Sequence, residues 1–259
     1  MIFLMSPILN SLRAFAEKAG RSYAFFDEPG EPSPAVSVIG DSGDVEMRVI
    51  GPLLSGYNFD RQEIEARLDA VQDLGTINVI VDSPGGFLDS GVSLYQVLNR
   101  RRKRGYRVKG MVEGLAASAA VFPLLAADVR EIEPGSKMMI HRPWTAVFSA
   151  VMGDRDELEA SKATYSSLVD DQIQSLDAGQ GQLEELLLAR TSMSSDAVRS
   201  ALGGGNFWFN TEQALDAGLV DAIAGDPSAS QEPPNDDVND ALIDNIRANL
   251  ISNYLRTAA

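Results

Sequence analysis

Residues 113–120 read Glu-Gly-Leu-Ala-Ala-Ser-Ala-Ala, a run of small residues that follows an apolar strand pattern over 108–112. The pattern predicts that the strand turns through Gly114 into a small-residue helix that runs to about Ala127, with Ser118 at the helix start. Backbone N–H groups at a helix start lack partners within the helix, and the positive end of the helix dipole lies there. Such an environment stabilises an oxyanion, the species formed when a hydroxyl attacks an acyl carbon. Ser118 is therefore a candidate nucleophile.

A nucleophilic serine needs a base, and the chain contains a single histidine, His141, after the apolar run Met-Met-Ile at residues 138–140. A glycine turn, Asp-Ser-Pro-Gly-Gly at residues 82–86, precedes the serine stretch. Taken singly, each feature has an ordinary structural explanation: Ser118 as a small residue between helix and sheet, His141 as a partly buried structural histidine, and the glycines as a tight turn. Together they form the outline of a nucleophile site with its base.

Three motifs, in this order, resemble those of the ClpP peptidase family. They are Ser-Pro-Gly-Gly at residues 83–86, Gly-x-Ala-Ala-Ser at residues 114–118 and Met-Ile-His-x-Pro at residues 139–143. A fourth block at residues 212–223, Glu-Gln-Ala-Leu-Asp-Ala-Gly-Leu-Val-Asp-Ala-Ile, resembles the end of the same catalytic domain. The likeness spans roughly residues 45–223. Within the family the chain is most similar to the ClpP-like head maturation proteases of phages and prophages, through the run Trp-Phe-Asn-Thr-Glu at 208–212 and the extensions at both ends.

The resemblance implies an α/β fold of the ClpP/crotonase type, with a mostly parallel sheet, flanking helices and a projecting handle helix that mates with another subunit. It implies a serine endopeptidase, ATP-independent or ClpP-like, that works through an acyl-enzyme. Ser118 would be the nucleophile and His141 the general base and acid, while the backbone N–H groups of Gly86 and Ala119 would form the oxyanion hole. It also implies ring-like homo-oligomers and a protein substrate such as a capsid scaffold.

Composition argues against several other classes of function. The chain has 259 residues, no cysteine and one histidine, which rules out disulfides and thiol chemistry and leaves few ligands for a transition metal. The chemistry implies no cofactor. The net charge of −15, from 22 Lys and Arg against 37 Asp and Glu, argues against a general nucleic-acid binder. We find no membrane span or signal peptide and expect a soluble cytoplasmic protein, in the host cytoplasm or the prohead if a phage encodes it.

Composition also divides the chain into three parts. Residues 1–43 are predicted to be an N-terminal extension, in which a capped helix over 6–20 precedes a loop over 27–43 that is rich in Pro, Gly and Ser. Residues 44–225 are predicted to form the ClpP-like serine protease domain. Residues 226–259 are predicted to combine an acidic linker with an amphipathic C-terminal helix.

Strand and helix patterns alternate within the domain, which predicts a parallel sheet with right-handed crossovers. Strands are predicted at 45–50 and 77–81, with a helix capped by Asp60 between them and a helix over about 89–104 after them. The run at 77–81 is mostly apolar, which is typical of a strand covered on both faces. The candidate site residues all follow strand ends, where functional groups gather in such sheets.

Beyond the candidate histidine, the sequence predicts a long helix over 154–176 and a second helix at about 182–190. A third helix is capped by Ser194 or Ser195 and ends at the glycines of 203–205. Earlier in the chain, the basic run Arg-Arg-Arg-Lys-Arg at 100–104 is interpreted as a complement to a helix dipole rather than as a nucleic-acid contact, with an intersubunit or substrate contact as an intermediate alternative.

The third member of the catalytic triad is the point at which the chain departs from the family. Counted back from the Gly-Leu-Val-Asp block at 218–221 without a gap, the family's aspartate falls at about Ala201, where no carboxylate stands. Asp196 is near in sequence, but five residues along a helix turn it away from the face of Ala201. Asn206 could orient the histidine, although an amide cannot offset the imidazolium charge. We therefore predict a serine–histidine dyad, with Asn206 as its candidate third member, slow turnover and a need for assembly.

The C-terminal part carries an apolar stripe that recurs every fourth residue, at Val238, Leu242, Ile246, Leu250 and Tyr254. An apolar face of this length is buried somewhere. Our hypothesis is a contact with a neighbouring subunit or a capsid partner. The alternatives are docking on its own subunit and removal by self-cleavage.

Two other classes of function stay open from the sequence. A crotonase-type acyl-CoA enzyme would share the fold and the oxyanion donors, but it has no use for Ser118 together with His141. A degenerate protease that acts as an assembly module would keep the oligomer without the chemistry. A housekeeping ClpP that works with an ATPase partner is a variant of the protease hypothesis.

Overall fold

A computed structural model describes residues 34–73, 75–143 and 155–226. Apart from Pro34, these residues belong to one compact unit, Ala35–Ala259. The strands are β1 (Val36–Ile39), β2 (Val45–Ile50), β3 (Thr76–Ser83), β4 (Arg107–Ala117), β5 (Val129–Ile132), β6 (Lys137–Ile140), β7 (Phe207–Phe209) and β8 (Ala222–Ile223). The helices are α1 (Arg61–Ala70), α2 (Leu88–Lys103), α3 (Val121–Leu125), α4 (Arg155–Arg190), α5 (Ser195–Leu202) and α6 (Thr211–Asp216), with a 3-10 turn at Ser118–Ala120.

Within the described residues, the strands form one sheet in the order β1-β2-β3-β4-β5-β8, and β6 forms a branch that pairs with β4 and β7. All pairs are parallel except β1–β2 and β6–β7. Helices connect the parallel strands, as a βαβ series requires. The predicted α/β fold, with a mostly parallel sheet and flanking helices, is confirmed.

Side chains of the central strands alternate between the core and the opposite face of the sheet. The buried residues of the predicted 77–81 run are Ile77, Val79 and Val81. Asn78 and Ile80, on the other face, are half-buried, so the two faces of the strand are covered to different extents. A run with apolar residues on both faces does not show which face the core covers.

On the outward face of β2, Arg48 donates a hydrogen bond to Glu46, and this contact raises the pKa of Arg48.

The basic run at 100–104 is largely used within the fold. Three arginines form ion pairs: Arg100 with Glu65, Arg101 with Asp69 and Arg102 with Asp128. The guanidinium of Arg101 is buried and joins α2 to α1. These ion pairs disfavour a nucleic-acid role for the run.

The Asp60 side chain caps the first N–H groups of α1, as predicted.

The loop predicted over 27–43 contains a strand. β1 pairs antiparallel with β2, from Val36 opposite Val49 to Ile39 opposite Glu46. The loop prediction is therefore wrong for these four residues, and the sheet starts before residue 44. A four-residue pattern between Pro, Ser and Gly residues is too short to reveal a strand until its partner is known.

One continuous helix, α4, replaces the two helices predicted at 154–176 and 182–190. The intervening Asp-Ala-Gly-Gln-Gly at 177–181 indicated a break, because glycine disfavours helix. Gly179 instead lies against α2, where a Cβ on it would be 2.4 Å from Leu88 Cδ2. The glycine permits close packing of two elements rather than a reversal of the chain. The third helix, α5, is capped by Ser194 as predicted.

A buried ion pair ties the end of the domain to the sheet. Arg130 of β5 binds both carboxylate oxygens of Asp221, with Nη2–Oδ1 at 2.6 Å and Nε–Oδ2 at 3.2 Å. The backbone N–H of Arg130 donates to the same carboxylate at 2.7 Å. Because Asp221 directly precedes β8, these bonds fix β8 beside β5.

Several predictions concern residues outside the described ranges, including the helix over 6–20 and the apolar stripe of the C-terminal part. In the part of the chain that is described, no helix combines the length and apolar character needed to cross a membrane. The same residues contain no group of three or more His, Asp or Glu side chains that could hold a metal ion.

Candidate active site

Ser118 occupies a sharp turn between β4 and a helical segment. β4 does not end at residue 112 but continues to Ala117, and the backbone turns at Ser118 itself, with a φ of +54°. The turn predicted at Gly114 is therefore wrong. Gly114 has a φ of +93° within the strand, where a Cβ would be 2.9 Å from Asp82 Oδ1. A left-handed φ at a residue other than glycine costs about 1–2 kcal/mol. It persists only where the surroundings hold it.

The single histidine of the chain lies against this serine. β6 runs parallel to β4, with Ala117 opposite Met139, so Ser118 and His141 follow neighbouring strands. Ser118 Oγ and His141 Nε2 are 2.7 Å apart, which is a hydrogen-bond distance. The His141 ring is half-buried. The structure thus brings together the two side chains that the sequence analysis selected.

The Gly85-Gly86 turn passes next to Ser118 and leaves no room for side chains. A Cβ on Gly85 would be 2.4 Å from Ala117 O and 2.8 Å from Ser118 Cβ. A Cβ on Gly86 would be 2.3 Å from Leu53 O. The φ angles of the two glycines, +88° and +154°, lie in the region that side chains disfavour. Both close approach and backbone conformation therefore require glycine here.

Leu53 fixes the direction of the Gly86 amide. The Leu53 N–H donates to Gly85 O, and the Phe87 N–H donates to Leu53 O, both at 2.8 Å. In this parallel bridge, the N–H of the middle residue, Gly86, points away from Leu53. Gly86 follows β3, whose other neighbour is β4, so we expect its N–H to face the side on which Ser118 lies. The sequence analysis did not identify Leu53, because its contribution comes from the backbone and no side-chain pattern reveals it.

Ala119 provides a second backbone N–H at the start of the helical segment. Its nitrogen is 2.8 Å from the position of a Cβ on Gly85, which places it at the glycine turn. The first N–H groups of a helical turn have no partner within the turn, and their partial positive charge favours an anion. α2 packs tightly against this residue, since a Cβ on Gly91 would be 2.4 Å from Ala119 O.

The pairing of β6 with β7 indicates which residue lies across from the histidine. Ile140 is opposite Phe207 in this antiparallel pair. The ladder ends at this pair, and one further step of the same register would bring Asn206 opposite His141. Asn206 is exposed and directly precedes β7. The register therefore favours Asn206 as the neighbour of His141 on this side.

The other positions considered for a third member have different environments. Ala201, reached by the ungapped count, is fully buried in the hydrophobic core on α5. The Asp196 side chain is 91% exposed and pairs with Arg199 at 2.6 Å. Asp196 is thus engaged on the outer surface of α5, as the helical spacing predicted.

Comparisons with known proteins bear on the family and the fold. A family model described as Clp protease matches residues 65–227. The chain is similar to the ATP-dependent Clp protease proteolytic subunit 2 of Treponema pallidum, with 31% identity over 146 residues. That match covers 56% of this chain and 64% of the relative, so the chain spans less than two thirds of that protein. A solved structure of a ClpP1 mutant from Listeria monocytogenes is similar with a TM-score of 0.50 and 19% identity, over 69% of this chain and 90% of that one, which shows the shared fold.

Proposed function

We propose that this chain, which belongs to the Clp protease family, is a serine endopeptidase that works through an acyl-enzyme. Ser118 is the nucleophile and His141 is the general base and acid. The backbone N–H groups of Gly86 and Ala119 are the oxyanion donors. This assignment rests on one observation above all, the 2.7 Å contact between Ser118 Oγ and His141 Nε2 at a strained turn.

The acylation step follows from this contact. Ser118 Oγ attacks the carbonyl carbon of the scissile peptide bond, and its proton passes to His141 Nε2. For Nε2 to accept that proton, the neutral imidazole must carry its own proton on Nδ1. The carbonyl oxygen becomes an oxyanion and accepts hydrogen bonds from Gly86 and Ala119. The C–N bond then breaks, the amine leaves with the proton from Nε2, and the acyl group remains as an ester on Oγ.

Deacylation repeats these steps with water. His141 Nε2 takes a proton from the attacking water, and the same two amides hold the second oxyanion. The ester C–O bond breaks, Ser118 Oγ regains a proton and the carboxylic acid product leaves. Because both donors belong to the backbone, their positions depend on the glycine turn and on the helical segment rather than on side-chain rotamers.

Asn206 is proposed as the third member that orients the imidazole. Its amide oxygen could accept a hydrogen bond from the Nδ1–H of His141, which would select the tautomer that the mechanism needs. An amide carries no charge and stabilises the imidazolium less than a carboxylate does. We therefore expect slow turnover, which suits a protease that cuts each substrate molecule once.

Labelling with a fluorophosphonate tests the assignment, because this probe modifies an activated serine. The parent should be labelled on Ser118, and Ser118→Ala should lose both labelling and peptide cleavage by about 10⁴-fold or more. Ser195→Ala, at an exposed serine of α5, is the matched control and should react like the parent. A folded parent that is never labelled would favour the assembly module. Acyl-CoA hydrolysis without labelling would favour the crotonase-type enzyme.

We further propose that the substrate is a capsid assembly protein such as a scaffold, and that cleavage is ATP-independent in a ring-like homo-oligomer. The support is the resemblance of residues 208–212 to head maturation proteases. The purified protein should cleave a scaffold protein encoded in the same phage or prophage genome without ATP or an ATPase. Cleavage only with an added Clp ATPase and ATP would instead identify a housekeeping type of subunit.

A further inference from the structure

A buried segment links the candidate nucleophile to a distant arginine. This nucleophile segment, residues 118–127, leads from the end of β4 through α3 towards β5. Residues 119–127 are all buried, and those other than Pro123 are at most 3% exposed. Ser118 forms its first residue and carries the left-handed φ of +54°. The segment is too tightly enclosed for its two ends to move independently, so what fixes its far end also fixes the serine.

Arg190, the last residue of α4, binds the far end of this segment. Its Nε–H donates to Leu125 O at 2.8 Å, and an Nη2 hydrogen donates to Ala127 O at 2.7 Å. These are carbonyls at the end of a helix, which lack partners within the helix and carry partial negative charge. Arg190 is only 5% exposed, so both bonds lie away from competing water.

Arg190 is itself held in place. Its backbone carbonyl accepts a hydrogen bond from Arg130 Nη1 at 2.6 Å. The same Arg130 guanidinium is locked by the Asp221 carboxylate, with Nη2–Oδ1 at 2.6 Å. The chain of contacts therefore runs from Asp221 through Arg130 and Arg190 to the end of the nucleophile segment.

We propose that Arg190 is a positioning residue that keeps Ser118 in its strained conformation and thereby in reach of His141. The inference rests on the proposed function of Ser118 and adds a determinant that does not touch the reacting atoms. The strained φ is retained only while the surroundings hold the segment at both ends, by β4 pairing at the start and by Arg190 at the end. Without the guanidinium, the end of the segment can shift and the serine can relax to a negative φ.

The test compares Arg190→Met and Arg190→Lys with the parent. Arg101→Met is the matched control, because Arg101 is likewise a buried arginine whose guanidinium donates to a backbone carbonyl, that of Glu65. It also binds the Asp69 carboxylate, and both partners belong to α1 rather than to the nucleophile segment. Fluorophosphonate inactivation is measured well below the lowest melting temperature, with kinact and KI separated. We expect Arg190→Met to lower kinact by about 10- to 100-fold, the effect of a displacement of about 1 Å, with KI nearly unchanged. Arg190→Lys should lie between it and the parent, because ammonium retains the charge but not the two-pronged geometry.

A purely structural role predicts a different result. Arg190→Met would then lower the melting temperature, as is expected for Arg101→Met. The kinact of the folded enzyme would stay within twofold of the parent, and this result would overturn the proposal. If Arg190→Met does not fold, the same comparison is made with Arg190→Lys. If the parent itself is not labelled, the proposed function fails, and a crystal structure of Arg190→Met or Arg190→Lys tests the positioning role separately. A Ser118 φ that remains left-handed in the variant overturns this role, and a φ that has become negative supports it.

Discussion

Gly85 has no space for a side chain beside the turn that carries the candidate nucleophile. A methyl group on it would be 2.4 Å from Ala117 O, far inside contact distance, and its φ of +88° disfavours any side chain. Gly85→Ala should therefore lower the free energy of unfolding by about 2–4 kcal/mol, from strain and overpacking together. It should also lower fluorophosphonate labelling at least about tenfold, because the clash displaces Ser118.

Gly51 offers a control that separates the two causes. Its φ is +73°, but a Cβ on it would have no atom within 4 Å. Gly51→Ala should therefore cost only the conformational strain of about 1–2 kcal/mol and leave labelling unchanged. Urea denaturation of both variants, with labelling of the folded proteins, makes the comparison. Equal labelling in the two variants would show that Gly85 does not position the serine.

Asn206 is exposed, but it is expected to respond to substitution in a way that a surface residue outside the site would not. Asn206→Asp supplies the missing carboxylate and should raise kcat, by at most the roughly 10⁴-fold that an aspartate-to-asparagine change costs in a complete triad. Asn206→Ala should lower it. Asp196→Ala is the control and should be neutral, because Asp196 pairs with Arg199 in solvent. Steady-state kinetics would contradict the assignment if Asp196→Ala were the damaging change and both Asn206 variants were neutral.

At the residue scale, the pairing of side chains was easier to predict than the backbone conformation. The contact between Ser118 and His141 could be predicted because the chain has one histidine and because both residues lie in motifs whose composition has a chemical reason. The sequence predicts the turn at Gly114, since glycine is the usual residue at a positive φ. The structure puts it at Ser118, a strained conformation that no local preference predicts. Leu53 and Arg190 form hydrogen bonds with backbone groups of distant residues, which a linear sequence does not reveal.

At the scale of elements, the continuous helix α4 contains two glycines with different surroundings. A Cβ on Gly181 would have no atom within 4 Å, whereas one on Gly179 would be 2.4 Å from Leu88 Cδ2. Gly181→Ala should stabilise the protein by about 0.5–1 kcal/mol, because alanine favours helix over glycine by this amount. Gly179→Ala should gain less or nothing, since Leu88 must move. Thermal or urea unfolding would contradict the packing account if Gly179→Ala were the more stabilising change.

The elements that were predicted correctly are those with an internal signal. α1 has its capping Asp60 and a buried stripe, and the strand at Val45–Ile50 alternates along its whole length. The errors share a different cause. β1 is a short edge strand, and the supposed break in α4 was a packing glycine, so in both cases tertiary contacts overrode local preference.

At the scale of the whole molecule, α4 carries exposed apolar residues that suit a contact between subunits. Val169 and Ile173 stand one helical turn apart and are 41% and 50% exposed. In the ring that we propose, a charge at this position would be buried in an apolar contact, so Ile173→Glu should lower the oligomer mass in sedimentation velocity. Leu188→Glu, on the same helix and 44% exposed, is the matched control and should leave the mass unchanged. A parent that sediments as a monomer would contradict the ring.

The ion pair between Arg130 and Asp221 joins residues 91 positions apart, which affects the order in which contacts form during synthesis of the protein. During translation, Ser118 and His141 emerge well before β7 and before the aspartate that locks Arg130. Contacts between distant parts of a chain form only after the entropy of closing the intervening loop has been overcome. If the proposed function holds, a nascent polypeptide carries Ser118 and His141 before the contacts that fix them. We therefore expect peptidase activity to appear on the ribosome only after residues up to Asp221 have been synthesised.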